Sequence, residues 1–196
     1  YLLGPKLIEL GFQAREELPL VTLAGPYLDE LSALTGDTIH LAIREGDEVL
    51  YLHKNPGRNG PEMRSRVGHR MPLARTGIGK ALMLDDTPQE WQRLYEVSLP
   101  AGGKNQFWPQ HPEQSWEQFQ QRMIEYVAGG YAFDLEDNEP SIRCVAAPIR
   151  DASKRIVAGI SIASTVPYMP LEKMAELIPL IKGVTARLSA ELGLKV

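Results

Sequence analysis

Two stretches of alternating apolar and polar residues constrain the fold of this chain more than any other feature. In the first, apolar residues at every second position of 39–43 precede a turn at 45–47 and a return strand at 49–53. In the second, strands at 142–149 and 156–164 flank a short polar run. Alternation on both sides of a short turn is typical of antiparallel hairpins. An antiparallel sheet is therefore expected at the centre of the fold.

Apolar residues at helical spacing predict the elements that cover this sheet. The expected helices are 3–18, 26–35, 87–96, 112–127 and 171–192. Pro19 closes the first stripe, Pro26 is expected in the first turn of the second helix, and Pro179 is expected to kink or split the last one. A short exposed strand is expected at 62–66 and a loop at 99–114. Helices packed on an antiparallel sheet, without βαβ alternation, indicate an α+β fold.

Composition narrows the class of protein. The chain has 196 residues, of which 43% are hydrophobic, as in ordinary globular domains. Its length suits one domain, or one domain with a short appendage, and its apolar stretches are too short to span a membrane. The single cysteine, Cys144, allows no internal disulfide, which fits a reducing compartment such as the cytoplasm. The start has neither an initiator Met nor a signal-peptide pattern, so we expect a piece of a longer protein.

The charge balance argues against nucleic-acid binding by this chain alone. There are 21 Lys and Arg against 25 Asp and Glu, a formal net charge of −4, whereas phosphate binding needs a basic face. One local basic cluster stands out, formed by Arg64, Arg66, His69 and Arg70. It is short and has no interleaved aromatic residues. A solvated strand end or a subunit contact is therefore the preferred interpretation.

One face of the second hairpin carries small or polar side chains. Alternation places Cys144 and Ala146 on that face of the first strand, and Gly159 and Ser161 on that face of the next. The opposite face is apolar and is expected to be core. Because protein interiors are close-packed, something bulky has to lie against the small residues. At this point a large side chain from a helix and a small ligand are equally good candidates.

Thr76-Gly77-Ile78-Gly79 is a second candidate for ligand contact. Thr76 is a suitable N-cap for a helix that begins at the glycines, and N–H groups at a helix start attract anions. The spacing matches neither a P-loop nor a dinucleotide fingerprint, so a plain glycine-containing turn is the alternative. The acidic run 134–139 is expected to be mostly a solvated turn, with Asp134 as the member placed to point inward. A buried carboxylate of this kind needs a partner.

The sequence argues against catalysis. Cys144 is flanked by apolar residues, as inert core thiols are, and Ser161 has no nucleophile-elbow context. The four histidines are scattered without the spacing of metal ligands. No catalytic residue, metal or cofactor is therefore expected. Three functions remain to be compared. They are a sensor that binds a small ligand, an oligomerisation module without a ligand, and a hydrolase that uses Cys144.

The residues from Gly130 to Pro148, which read Gly-Tyr-Ala-Phe-Asp-Leu-Glu-Asp-Asn-Glu-Pro-Ser-Ile-Arg-Cys-Val-Ala-Ala-Pro, resemble the signature stretch of IclR-type bacterial transcription regulators. The segments 1–11, 68–81 and 156–164 and the ending Glu191-Leu192-Gly193 are similar to the same family, in the same order. The resemblance therefore covers nearly the whole chain.

The resemblance implies a GAF-like, C-terminal effector-binding domain at 21–196, preceded by a linker helix at 1–20. It further implies a winged helix-turn-helix DNA-binding domain upstream, assembly into dimers or tetramers, and no membrane partner. The effector would be a small carboxylate, such as a keto acid or a sugar acid, that changes operator binding. Sugar acids are preferred, because several hydroxyl-binding side chains are available.

The resemblance also implies a set of effector-binding residues. The main chain of Gly77 and Ile78 would hold the anionic end of the effector. The polar atoms of the effector would face Thr76, Asp134, Cys144 and Ser161. Apolar walls would come from Met63, Met71 and Ile142.

Overall fold

A six-stranded antiparallel sheet forms the centre of the part of the chain that the structure describes. The structure is a computed structural model, and it describes residues 4–16, 19–99 and 114–194. Its strands are β1 (Thr38–Glu45), β2 (Glu48–Asn55), β3 (Arg70–Pro72), β4 (Ala132–Leu135), β5 (Ile142–Arg150) and β6 (Ile156–Thr165). Their order across the sheet is β3-β2-β1-β6-β5-β4, and every neighbouring pair is antiparallel. Both predicted hairpins, and the α+β fold class, are confirmed.

Six helices in the described part of the chain pack around this sheet. They are α1 (Pro5–Glu16), α2 (Pro19–Thr35), α3 (Gly77–Leu82), α4 (Pro88–Ser98), α5 (Trp116–Gly129) and α6 (Leu171–Glu191). Helices α2 and α6 cover one face of the sheet, and α3 covers the other with α4 and α5 outside it. Among these helices, none has the length and hydrophobicity of a bilayer-crossing segment.

Strand alternation separates two hydrophobic cores, one on each face of the sheet. On β6, Ala158, Ile160 and Ile162 are fully buried against α2 and α6, as the sequence predicts for the apolar face. On β5, Val145 joins that core, whereas its neighbour Ala146 belongs to the core under α3. The small-residue face of the hairpin therefore points toward α3, α4 and α5.

One strand prediction was wrong, and one strand was not predicted. No strand forms at 62–66, which lies in an irregular connection between β2 and β3, and the edge strand forms instead at 70–72. Strand β4 was not predicted from the sequence. This strand has only four residues and runs into an acidic turn, so its short alternation is hidden by the charges that follow.

The prolines follow the sequence prediction only in part. Helix α1 ends at Glu16, before Pro19, as expected, and Pro19 begins α2. Pro26 lies inside α2 rather than in its first turn, so that prediction was wrong. Pro179 lies inside α6, which continues as one helix from 171 to 191. Of the two outcomes expected there, the split was wrong and the kink stays a prediction. In α6, Leu177 and Ile181 on either side of the proline are buried against the sheet. This packing offsets the hydrogen bond that a proline removes from a helix.

The helices predicted at 87–96 and 112–127 form as α4 and α5, each displaced by a few residues. Most of the loop predicted at 99–114, and the two ends of the first predicted stripe, lie outside the described residues. The division at residue 20 between a linker helix and the following domain stays a prediction.

Candidate functional site

Helix α3 is seated directly on the small-residue face of the sheet. Its N-cap is Thr76, whose Oγ1 accepts a hydrogen bond from the Gly79 main-chain N–H at 3.0 Å. A Cβ atom on Gly77 would lie 2.5 Å from Cys144 Sγ and 2.9 Å from the Asp134 nitrogen. The predicted helix start is thus confirmed. Because Gly77 has no side chain, strands β4 and β5 of the protein itself can approach the start of α3 closely.

A cavity of 560 Å³ opens beside this contact, between α3, the sheet and the connection between β2 and β3. We call it the α3 cavity. Eight of the nine predicted effector-binding residues line it: Met63, Met71, Thr76, Ile78, Asp134, Ile142, Cys144 and Ser161. Gly77, the ninth, lies behind Cys144 and is not part of the lining. These eight residues come from six parts of the fold: the β2–β3 connection, β3, the start of α3, β4, β5 and β6.

The small-residue face is filled in two different ways along its length. At Gly159, a Cβ atom would lie 3.1 Å from Ile78 Cγ1, so a side chain from α3 occupies that part. Beside Cys144 and Ser161, the face borders the α3 cavity instead. Among the described residues, no tryptophan or phenylalanine lines this cavity. A helix side chain therefore fills one part of this face, and space for a ligand borders the other part. These are the two possibilities that the sequence left open.

Asp134 points into the α3 cavity from β4 and is 4% exposed. Its Oδ1 accepts a hydrogen bond from the Asp137 main-chain N–H at 2.8 Å. Burial raises the pKa of Asp134 to about 7, although the nearby Lys80 ammonium opposes this shift. The inward orientation anticipated for this residue is confirmed. Its carboxyl group can exchange a proton near neutral pH.

Asp137 corrects the expectation that the acidic run is mostly a solvated turn. The Lys80 side chain is fully buried, and its Nζ donates to Asp137 Oδ2 at 2.5 Å and to the Phe133 carbonyl at 3.2 Å. Arg122 Nη1 donates to Asp137 Oδ1 at 3.0 Å. Burial alone would raise the pKa of Asp137, but Lys80 and Arg122 lower it below its usual value. The turn therefore carries the partner of a buried lysine, because Lys80 could not be buried unpaired.

Cys144 is held as a neutral thiol. Burial raises the pKa of Cys144 far above its usual value, and the main-chain N–H groups of Asp134 and Gly77 hydrogen-bond to its sulfur. A thiol that stays protonated at neutral pH is a weak nucleophile. This environment argues against the hydrolase alternative.

Several lining residues were missed by the sequence analysis, and His40 is the most informative. It is buried on β1, where its Nε2 lies 2.7 Å from Ser65 Oγ and its Nδ1 lies 3.3 Å from Ser161 Oγ. Its ring also packs on Tyr51 with centroids 5.0 Å apart. The alternation of 39–43 predicts that His40 lies on the other face of the strand from Ile39 and Leu41. Pairing the two hairpins through β1 and β6 would have brought it to Ser161.

Two members of the basic cluster also line the α3 cavity. Arg64 and His69 are exposed and lie in the connection between β2 and β3, together with Ser65. The cluster had been interpreted as a strand end or a subunit contact. All four residues are exposed and Arg70 begins β3, so the cluster does lie in part at a solvated strand end. Arg64 and His69 also form part of the cavity wall, and a subunit contact there stays a prediction.

A second cavity of 680 Å³ lies beside α4 and α5. Its wall includes the side chains of Gln118 and Gln121 and the guanidinium of Arg122, which is paired with Asp137. The α3 cavity, in contrast, is lined by the buried polar side chains of Asp134, His40 and Ser161. Concave sites with a few converging polar groups on apolar walls are typical of small-molecule binding.

Comparison with known proteins agrees with this geometry. The family described as "Bacterial transcriptional regulator IclR C-terminal" matches residues 12–190. The HTH-type transcriptional regulators KdgR and XynR of Escherichia coli are each 31% identical over 193 residues. These alignments cover 98% of this chain, 72% of KdgR and 75% of XynR.

Solved structures show the same fold. The crystal structure of Thermotoga maritima IclR matches with a TM-score of 0.82 and 28% identity, covering 98% of this chain and 76% of that one. The C-terminal domain of Escherichia coli KdgR matches with a TM-score of 0.70 and 28% identity, covering 89% of this chain and 98% of that domain. The relatives are named as transcriptional regulators, so the expectation of a regulatory rather than a catalytic protein is confirmed. The chain belongs to the IclR family of bacterial transcriptional regulators, and it is the effector-binding domain of such a regulator.

Proposed function

We propose that the α3 cavity binds a small carboxylate, and that this binding modulates operator binding by an N-terminal winged helix-turn-helix domain in a longer protein. The observation that carries the proposal is the cavity itself. Its 560 Å³ combine the buried polar groups Asp134 and Ser161 with the apolar walls Met71 and Ile142. The names of the longer relatives, which are HTH-type regulators, support the second half of the proposal.

The anionic end of the effector would lie at the start of α3. The first N–H groups of a helix have no acceptor within the helix, and Ile78 contributes to the cavity lining there. Gly77 supports this end indirectly, because its N–H already faces the Cys144 sulfur. The hydroxyl groups of a sugar acid, or the oxo group of a keto acid, would then face Thr76, Ser161 and Asp134.

An effector carboxylate next to an ionised Asp134 would be repelled. Two arrangements relieve the repulsion: an effector hydroxyl donates to the Asp134 carboxylate, or Asp134 takes up a proton. The raised pKa of Asp134, about 7, supports the second arrangement. A carboxyl group that is protonated in the complex donates a hydrogen bond to the effector instead of repelling it.

Regulation would act through the arrangement of subunits in a dimer or tetramer. A ligand shifts such an equilibrium only if it binds one arrangement better than the other. A preference of about 1–3 kcal/mol gives roughly 5- to 150-fold modulation of the affinity for DNA. Exposed apolar side chains on α1, which are Leu7, Ile8 and Leu10, support self-association of the chain.

The α3 cavity favours a sensor over an oligomerisation module without a ligand. Such a module would fill the face beside Cys144 with protein, as Ile78 does at Gly159. The space next to Cys144 and Ser161 is what a sensor requires.

Thermal shift measurements against a panel of two- to six-carbon hydroxy acids and 2-oxo acids test the proposal. At least one acid is expected to raise the melting temperature of the protein in a saturable manner. Ala163→Leu, which fills the α3 cavity, should abolish the shift, whereas Ala175→Leu on the exposed face of α6 should keep it. The proposal fails if no acid of the panel stabilises the protein, or if Ala163→Leu responds like the wild type.

A further inference from the structure

An irregular connection between β2 and β3, residues 56–69, forms one wall of the α3 cavity, and two side chains of the sheet hold its residues 63–65. From β2, Lys54 Nζ donates to the carbonyl oxygens of Met63 at 2.8 Å and Ser65 at 2.9 Å. From β1, His40 contacts the Ser65 hydroxyl at 2.7 Å. Lys54 and His40 are cross-strand partners in the sheet. The main chain and the side chain of Ser65 are therefore both fixed above β1.

His40 joins Ser65 to the sheet floor of the cavity. Its Nδ1 lies 3.3 Å from the hydroxyl oxygen of Ser161, its register partner on β6. Ser65, His40 and Ser161 thus form one hydrogen-bonded chain, with an end on the connection and an end on the floor. The contact to Ser65 is short, whereas the contact to Ser161 is longer than most hydrogen bonds to nitrogen. Ser161 is the member whose hydroxyl can turn most readily toward a ligand.

His40 is neutral across the physiological pH range. Burial, together with the charge of Lys54, lowers the pKa of His40 to about 3. A neutral imidazole has one nitrogen that donates and one that accepts. When Nδ1 carries the proton, it donates to Ser161 Oγ, and the Ser161 hydroxyl is free to donate into the cavity. When Nε2 carries the proton, Ser161 donates to Nδ1 and presents lone pairs to the cavity.

We propose that Ser65, His40 and Ser161 form a specificity-determining relay, which makes the α3 cavity prefer a carboxylate with an additional hydroxyl or carbonyl oxygen over its deoxygenated analogue. This inference rests on the proposed function. His40 acts as a positioning residue, because the tautomer of its ring determines whether the Ser161 hydroxyl donates or accepts a hydrogen bond in the cavity. A carbonyl oxygen selects the tautomer with the proton on Nδ1, and a hydroxyl group is accepted by either tautomer.

The neighbours of Ser161 explain why the relay decides the preference. Ala163, two residues along β6, and Ala146, the register partner of Ser161 on β5, are apolar and offer no hydrogen bond to an oxygen placed near Ser161. A methylene group there leaves Ser161 with only its long contact to His40. Sites that hydrogen-bond a substrate oxygen discriminate against the analogue that lacks it. We expect a preference of about tenfold in Kd, which corresponds to about 1.4 kcal/mol.

Isothermal titration with matched acids measures this preference. The probe pairs are glycolate against acetate, lactate against propionate, and pyruvate against propionate. For at least one pair, the wild type should bind the oxygenated acid about tenfold more tightly. His40→Leu should reduce the preference, taken as the ratio of the two Kd values measured with the same variant, to below about twofold. His40→Gln, which keeps a donor and an acceptor, should retain most of the preference.

A matched control lies on the same strand as Ser161. Ser164 is also buried on β6 but does not line the α3 cavity, so Ser164→Ala should leave the preference unchanged. Ser65→Ala removes the other end of the relay without touching the sheet core. It should weaken the preference in the same direction as His40→Leu, and it replaces that variant if His40→Leu does not fold.

The possible results separate this inference from the proposed function. If the wild type binds both acids of a pair and His40→Leu discriminates as well as the wild type, the relay is contradicted while the carboxylate site stands. If no acid binds the wild type, the carboxylate site and the relay both fail. Nitrogen-15 NMR of the His40 ring adds a direct readout. A neutral ring that shifts toward the Nδ1-protonated tautomer with pyruvate is expected, and a charged ring or one unchanged by bound pyruvate contradicts the relay.

Discussion

Gly77 shows at the scale of a single residue why α3 can lie on the sheet. Gly77→Ala would place a Cβ atom 2.5 Å from Cys144 Sγ, so we expect the free energy of unfolding to fall by about 1–3 kcal/mol. Gly183 is also helical, but a Cβ atom added to it on α6 would have no other atom within 4 Å. Gly183→Ala should therefore raise the free energy of unfolding by about 0.5–1 kcal/mol. Urea denaturation of both variants measures the difference, and equal effects would contradict this account of α3.

Asp134 predicts a pH dependence of effector binding. Burial raises the pKa of Asp134 to about 7, and the charged groups packed around it are Lys80 from α3 and Asp137 from the acidic turn. The protonated form accommodates an effector carboxylate, so Kd should rise as pH increases through 7, by at most about tenfold per pH unit. Titration calorimetry between pH 6 and about pH 8.5 measures this slope.

The matched variant for this pH dependence is Asp134→Asn, which mimics the protonated carboxyl group. It should bind at pH 8 at least as tightly as the wild type binds at pH 6, and any slope that remains belongs to other groups. A wild-type Kd that is flat or falls with rising pH would instead show that an effector hydroxyl donates to an ionised Asp134.

At this scale, part of the candidate site could be predicted from the sequence. Cys144 and Ser161 follow from strand alternation, because the period of two fixes which face each side chain occupies. Alternation on β1 likewise predicts the face that His40 occupies. Its hydrogen-bond partner Ser65, however, lies in the irregular connection between β2 and β3. An irregular segment has no sequence periodicity from which its contacts with the sheet could be predicted. The environment of Asp137 was hidden for a related reason, since its partner Lys80 is more than fifty residues away.

At the scale of elements, the buried pair between Lys80 and Asp137 fastens α3 to the turn after β4. Lys80→Met removes one of the two cations that pair with the largely buried Asp137 carboxylate, while Arg122 remains, so we expect the free energy of unfolding to fall by about 1.5–3 kcal/mol. The exposed pair between Lys6 and Glu9 provides the control. Lys6→Met should change the free energy of unfolding by less than about 1 kcal/mol. Similar effects from both variants would show that Lys80 does not hold α3 in place.

The elements themselves were predictable where a pattern was long and uninterrupted. The four long strands and α4, α5 and α6 follow from such patterns, with shifts of a few residues at their ends. The failures are the strand expected at 62–66, the strand β4, the position of Pro26 inside α2 and the split expected in α6. Strand β4 pairs with the nearby β5 but has too few residues to show a clear alternation, whereas α2 and α6 continue through their prolines because both pack on a core of residues distant in sequence. Local patterns carry no information about such contacts.

At the scale of the whole molecule, the proposed mechanism requires self-association. Leu7 and Ile8 on α1 are 53% and 65% exposed, so a partner subunit could cover them. If α1 is part of a subunit interface, Ile8→Glu should shift the chain toward a smaller assembly in sedimentation velocity. Leu171→Glu, at an apolar residue that is 54% exposed at the start of α6, should not. An unchanged assembly state for Ile8→Glu would exclude α1 from the interface.

The central claim is that the α3 cavity is the effector site, and the methionines test it directly. Of the six methionines, Met63 and Met71 line the cavity, whereas Met83, Met123, Met169 and Met174 do not. With carbon-13 labels on the methyl groups, titration of a stabilising carboxylate should move the NMR signals of Met63 and Met71 saturably and leave the other four nearly unchanged. Saturable movement confined to the other four methyl groups, with Met63 and Met71 unaffected, would contradict the claim.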